Sequence, residues 1–328
     1  MADEIKLFLI HFAISGIAAA ISKTLISPLE RTKLILQNQE ASHQILKSDV
    51  PKYKGIIDCL IRLPKEQGVL SYWRGNGANI TRYIPLQALN FSFYNMYYDI
   101  FASYCCADLA KTFGAGALAG LSSITVVFPL DFCTTRLAVD IGSDHGTNSP
   151  KREFYGLRHC LSSVIKTDGV LGLYKGYTAS AVGLTIYRSV YFGLYESYKQ
   201  KFSRSYFQES KWEGSSYVAF QMLVAQVVTT IAAWVSYPFD TAGRRMMLEA
   251  SKPQEYRQIK NINDSFLLIY KNEGIYGFYK GALANIMRSS GSALVLVLYD
   301  EILYHSPLRD IAADKKYQRM QKNLLSCK

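Results

Sequence analysis

Residues 237–249 read Tyr-Pro-Phe-Asp-Thr-Ala-Gly-Arg-Arg-Met-Met-Leu-Glu (YPFDTAGRRMMLE). They close a run, Gly214 to Phe239, of 26 residues without Asp, Glu, Lys or Arg. About 20 residues of helix cross the hydrocarbon core of a bilayer, so the run predicts a membrane span that meets a proline and then an abrupt return of charge. Thr112–Leu130 adds 19 uncharged residues and Tyr83–Tyr98 adds 16, while Leu7–Leu29 is apolar apart from His11 and Lys23. The stretches around Arg188 and Arg288 are apolar with one cation each. Six candidate spans result.

The opening stretch also repeats. Pro238-Phe-Asp-Thr-Ala-Gly243 corresponds to Pro129-Leu-Asp-Phe-Cys-Thr134 and to Pro28-Leu-Glu-Arg-Thr-Lys33, at offsets of 109 and 101 residues. A second signature follows each copy: Glu66-Gln-Gly68 then Trp73-Arg-Gly75, Asp168-Gly169 then Tyr174-Lys-Gly176, and Glu273-Gly274 then Tyr279-Lys-Gly281. Between the two signatures lie amphipathic stretches near 56–66, 157–167 and 263–272, too polar to span a bilayer. Self-similarity at this period marks a repeat architecture. The expected fold is an all-α membrane protein of six transmembrane helices in three pseudo-symmetric repeats, 5–105, 108–202 and 213–305. These form a single domain, 1–328, with a polar C-terminal tail at 306–328. Each repeat reads as a long helix ending near its Pro-x-acid motif, a short surface helix, and a second long helix.

Bulk composition narrows the function. With 37 basic and 26 acidic residues among 328, the chain carries a net charge of +11, a balance that suits anionic partners. Mean hydropathy of +0.02 by itself favours neither a soluble nor a membrane protein. The uncharged spans leave no large basic face and no binding motif for nucleic acid is present. The six cysteines show no C-x-x-C spacing and no partnered histidines, which argues against a metal site. No nucleophile–base pair appears, so neither an enzyme nor a cofactor is expected. The N-terminal MADEIK lacks the Arg/Ser-rich pattern of a cleaved transit peptide.

A charge at membrane depth is costly and usually functional. Seven residues past the motif glycines Gly75, Gly176 and Gly281 stand Arg82, Gly183 and Arg288, and Lys23 lies five residues before the first kink. Cations with no acid at that level make a site for an anion, and the planar guanidinium fork suits phosphate oxygens. Gly183-Leu184 leaves room for a flat group on which Tyr187 would stack.

On these motifs the chain resembles the mitochondrial carrier family over residues 5–305. Arg244-Arg245-Met246-Met247 is similar to the Arg-Arg-Arg-Met-Met-Met run of the ADP/ATP carrier branch, as are Gly55–Cys59, Pro64–Gly68 and Leu296–Glu301. The resemblance implies a six-helix barrel in the mitochondrial inner membrane, with three short matrix-side helices and both termini facing the intermembrane space. It implies adenine-nucleotide contacts at Lys23, Arg82, Asn90, Gly183, Leu184, Tyr187, Ser236 and Arg288. Cardiolipin is implied at Arg74-Gly75, Lys175-Gly176 and Lys280-Gly281.

Alternating access closes one side of a carrier while the other opens, and in this family each closure is a ring of three ion pairs. The matrix-gate acids Glu30, Asp131 and Asp240 are present, with Lys33 as a base, but Thr134 and Gly243 replace the other two bases. Lys33–Asp131 is then the one expected pair, and Gly243 leaves Glu30 without its partner. On the opposite side Glu196, Lys199 and Asp300 remain, while Asn95, Tyr98 and Leu303 replace charges, so Lys199–Asp300 is the one pair. Arg136, Arg244 and Tyr98 are the nearest substitutes, but one step along a helix turns a side chain by about 100°, so rescue requires rearrangement. Met246 and Met247 read as packing residues. Two functions follow. The first is an ADP/ATP-type antiporter with weakened gates; the second is a carrier-fold structural subunit of a larger inner-membrane assembly, its tail docking on protein partners, with four of six gate pairs gone.

Overall fold

The computed structural model describes residues 2–42, 44–45, 51–104, 108–142, 152–198, 215–250, 252 and 257–289. Regular structure among them is helical: α1 (Ala2–Asn38), α2 (Ile56–Gln67), a 3-10 turn (Val69–Trp73), α3 (Asn76–Tyr104), α4 (Asp108–Val139), α5 (Leu157–Gly172), α6 (Tyr177–Tyr198), α7 (Ser215–Glu249), α8 (Ile262–Phe278) and α9 (Ala282–Ser289). The chain divides into two units, one holding residues 27–289 and the other taking in residues 1–26. Expectations for Lys199, Asp300, Leu303 and the tail 306–328 fall outside the described residues.

Length and apolar composition qualify one described segment, Phe113–Val139, to cross a membrane. The helices also run further than their prolines. Pro28, Pro129 and Pro238 lie inside α1, α4 and α7, which continue to Asn38, Val139 and Glu249. A proline removes one intrahelical donor and crowds one preceding turn, and each helix resumes for about three turns beyond it.

Those three post-proline segments carry the buried core of residues 27–289. Ile35 and Leu36 of α1 pack with Cys59 and Leu63 of α2; Phe132 and Cys133 of α4 pack with Cys160 and Val164 of α5; Ala242 and Met246 of α7 pack with Ile269 and Phe278 of α8. The thiols of Cys59, Cys133 and Cys160 are buried and unbridged. Met247 is buried against the second of these clusters, in keeping with a packing role. Each short helix thus lays its apolar face on the kinked helix of its own repeat, and α2 leaves Ile57 and Ile61 on the outside.

The motif glycines then join one repeat to the next. Gly75, Gly176 and Gly281 all have φ between +81° and +86°, a left-handed conformation that glycine adopts without a Cβ clash. Each also presses its Cα on the backbone of a neighbouring kinked helix. A Cβ at Gly281 would meet the Lys33 carbonyl oxygen at 3.0 Å, one at Gly75 would meet that of Thr134 at 3.4 Å, and one at Gly176 would overlap that of Gly243. Gly68 shares the positive φ but faces open space. Gly281→Ala is therefore expected to lower the thermal unfolding temperature of the detergent-purified protein more than Gly68→Ala. The latter loses only the conformational preference, about 1–2 kcal/mol. Equal losses in a thiol-dye melting assay would contradict the backbone contact.

Candidate functional site

Seven residues beyond those glycines, α3 and α9 deliver Arg82 and Arg288, and α6 delivers Gly183, to the wall of one cavity of about 340 Å3. Leu184, Tyr187 and Ser236 line it as well. Arg82 donates to Asn79 Oδ1 at 2.9 Å, and Arg288 donates to Asn285 Oδ1 at 3.0 Å. One turn earlier on each helix, these amides hold the guanidiniums in place. Tyr187 stacks on Tyr191 with centroids 6.1 Å apart. Asn90 is half-buried but is not part of the cavity wall, and its Oδ1 has no hydrogen-bond partner among the described residues. Lys23 is half-buried and belongs to the unit of residues 1–26.

The acid-free level expected from the sequence is not what the cavity shows. Glu30, Asp131 and Asp240 line it together with Lys33, Arg82, Arg244 and Arg288. The expected pairing also changes. Lys33 Nζ binds Asp240 Oδ2 at 2.6 Å rather than Asp131, with Gln37 Nε2 donating to the same oxygen at 3.0 Å. Asp131 instead lies between two guanidiniums, Arg82 Nη1 at 3.3 Å from Oδ1 and Arg244 Nη1 at 3.2 Å from Oδ2. Arg244 Nε reaches Asp240 Oδ1 at 3.3 Å. Glu30, expected to lack its partner, accepts from Asn79 Nδ2 at 2.5 Å and has Arg288 Nη1 at 3.6 Å.

The expectation that a one-residue shift makes rescue require rearrangement is thus corrected for Arg244, because its long side chain spans the angular offset and bridges α4 and α7. Arg136 does not take this part; it pairs with Glu153 and lies over the Phe154 ring at 5.1 Å. Tyr98 stacks on Tyr94, and Asn95 is exposed. At Gly243 a Cβ would stand 2.8 Å from Ser180 Oγ and 3.3 Å from the Gly176 carbonyl oxygen. The small residue lets α6 close on α7.

A family model, described as mitochondrial carrier protein, matches residues 6–104, 107–206 and 215–305. The chain belongs to the mitochondrial carrier family. Members of that family are transporters rather than enzymes. Among curated relatives, ADP/ATP translocase 4 of Mus musculus is 46% identical over 297 residues, covering 88% of this chain and 87% of its own length. ADP/ATP translocase 3 of Bos taurus and of Homo sapiens are each 44% identical over 312 residues, covering 92% of this chain and 99% of theirs.

Within this carrier chain the cations of the aromatic-basic-Gly motifs already hold protein oxygens. Arg74 donates to the carbonyls of Asp140 and Gly142 at 2.8 and 2.6 Å, Lys175 pairs with Asp168 at 2.9 Å, and Lys280 bridges Glu273 at 2.8 Å and Glu40 at 2.9 Å. Arg245, second of the signature arginines, is buried and pairs with Glu273. Sequence reading missed Asn79 and Asn285. Counting four residues past Gly75 and Gly281 finds both, with Ser180 as the third copy.

Burial on its own would raise the Glu273 carboxyl, but the hydrogen bonds from Arg245 and Lys280 outweigh it and hold the group below its ordinary value of 4.5. A depressed carboxyl contributes stability above its unfolded pKa and loses it as pH falls through the folded one. Glu273→Gln is expected to lower stability at pH 7 by about 3 kcal/mol, and to flatten the loss of wild-type stability as pH drops below 4.5. Melting curves across that range check both. Gly243→Arg, which restores a base at an expected gate position, is expected to lower the melting temperature instead, because the site has no room beside Ser180, and both Glu30, the acid it was expected to meet, and Asp131 already have partners.

Proposed function

We propose that this chain is an adenine-nucleotide carrier of the mitochondrial inner membrane, exchanging ADP for ATP by alternating access through six transmembrane helices. One observation carries the reading: Lys33, Arg82, Arg244 and Arg288 face a single cavity that also contains the Tyr187 ring and the small Gly183. Cations in a wall of this kind match a di- or triphosphate, and a ring beside an open glycine edge matches a flat base. The ADP/ATP translocases among its relatives support the same substrate. Lipid contact with cardiolipin belongs to this proposal through the amides that begin α3, α6 and α9, rather than through the cations that precede them.

The case for a non-transporting structural subunit rests on four missing gate pairs and on the polar tail at 306–328. On the expected matrix side it weakens, since Arg82, Arg244 and Arg288 stand beside the three acids. Liposomes loaded with ATP and containing the purified chain should take up radiolabelled ADP above protein-free liposomes, and Arg82→Ala should abolish the uptake. A folded preparation, judged by a cooperative melt, that exchanges no nucleotide would sink the proposal.

A further inference from the structure

We propose that three loop tips, Val69-Leu70, Val170-Leu171 and Ile275-Tyr276, insert their side chains into the acyl region of an anionic membrane leaflet and anchor the short helices there. The proposal rests on the reading of the chain as a membrane carrier, but it concerns a surface outside the cavity and uses none of the residues that line it.

Each tip is built the same way. Gly68 ends α2, while Gly169 and Gly274 interrupt α5 and α8. All three glycines have φ between +65° and +81° with an extended ψ, a conformation essentially confined to glycine. A Cβ at any of them would meet nothing within 4 Å, so each glycine serves the turn and not a close contact. Beyond the turn, two apolar side chains point outward. Leu70 is 85% exposed, Leu171 82% and Tyr276 88%, against 63%, 61% and 65% for Val69, Val170 and Ile275. Single exposed apolar residues are ordinary on a protein surface. The same apolar pair, outward at the same register in three repeats, is not scatter and requires an apolar surrounding.

Charge identifies that surrounding. Three residues before each glycine stands an exposed lysine: Lys65, Lys166 and Lys271. The neighbouring acids are paired elsewhere, Glu66 with Arg62, Asp168 with Lys175 and Arg257, and Glu273 with Arg245 and Lys280. Each tip therefore joins an apolar pair to an outward ammonium, the pattern that reaches lipid phosphates with one end and acyl chains with the other. Position agrees. Leu70, Leu171 and Tyr276 lie six residues before the starts of α3, α6 and α9, and Trp73, Tyr174 and Tyr279 fall in between. Trp and Tyr favour the membrane–water boundary.

Tryptophan fluorescence tests the insertion. The full chain is reconstituted into vesicles of brominated phosphatidylcholine and phosphatidylglycerol and compared with Leu70→Trp, Leu171→Trp and Tyr276→Trp. The emission that each variant adds to the parent's is followed with lipid bromine and with aqueous acrylamide as quenchers. Leu118→Trp is the reference for lipid contact, since Leu118 is 40% exposed on the apolar segment Phe113–Val139. Each variant is first shown to melt cooperatively; Val69→Trp, Val170→Trp or Ile275→Trp replaces one that does not. A greater loss to bromine than to acrylamide at all three tips, reduced when phosphatidylglycerol is left out, supports the proposal. Tips quenched by acrylamide instead, or shielded from both quenchers as under a protein partner, overturn insertion alone if Leu118→Trp loses its emission to bromine. Tip quenching indifferent to phosphatidylglycerol overturns the part given to the lysines. Absence of bromine quenching at Leu118→Trp as well as at the tips overturns the membrane reading together with the proposal.

Discussion

Three backbone contacts set the geometry on which the rest of residues 27–289 depends. Gly75, Gly176 and Gly281, each in a left-handed turn, lie against the main chain at Thr134, Gly243 and Lys33. A Cβ at any of these glycines would be strained by φ and crowded by its neighbour, so the close approach is available to glycine and denied to other residues. The helix that follows each turn then starts at a defined place against a kinked partner. Seven residues on, two of those helices deliver arginine to the cavity and the third delivers Gly183. The same contact that joins neighbouring repeats therefore aims the charges.

Charge balance follows from this placement. Four cations and three carboxylates share the cavity, leaving it net positive while giving each acid a cationic neighbour. Buried charge is tolerated when it is paired and hydrogen-bonded, and Asn79, Asn285 and Gln37 supply the neutral bonds that hold the charged groups in position. Outside the cavity, Arg245–Glu273–Lys280–Glu40 ties α7, α8 and the end of α1 by ion pairs that do not reach it.

Much of this was readable from residue order. The 101- and 109-residue offsets align the motifs, and counting from each glycine places Arg82, Gly183 and Arg288 at one level from residue order alone. The carboxylates were identified as gate acids, yet their place in the same cavity was not foreseen, because sequence distance from a motif says nothing about the depth at which two helices cross. Lys33 was assigned to Asp131 and found on Asp240 for a related reason: a repeat register names equivalent positions, and the partner depends on which helix lies next door. The angular offset of Arg244 implies that rescue needs rearrangement, although a guanidinium on three methylenes reaches across such an offset when its target lies on the facing helix.

The sequence by itself determined the repeat, the helical periodicity, the family and the types of residue at each equivalent position, because these are properties of order and spacing along one chain. Only the tertiary structure decided which acid meets which base, and that the lost bases at Thr134 and Gly243 are answered by Arg82, Arg244 and Arg288. Pairing energies fall steeply with separation and depend on what lies between the charges. Separations between helices are set by packing, above all by glycines that let two backbones touch, and that distance is not written in the order of residues along either helix.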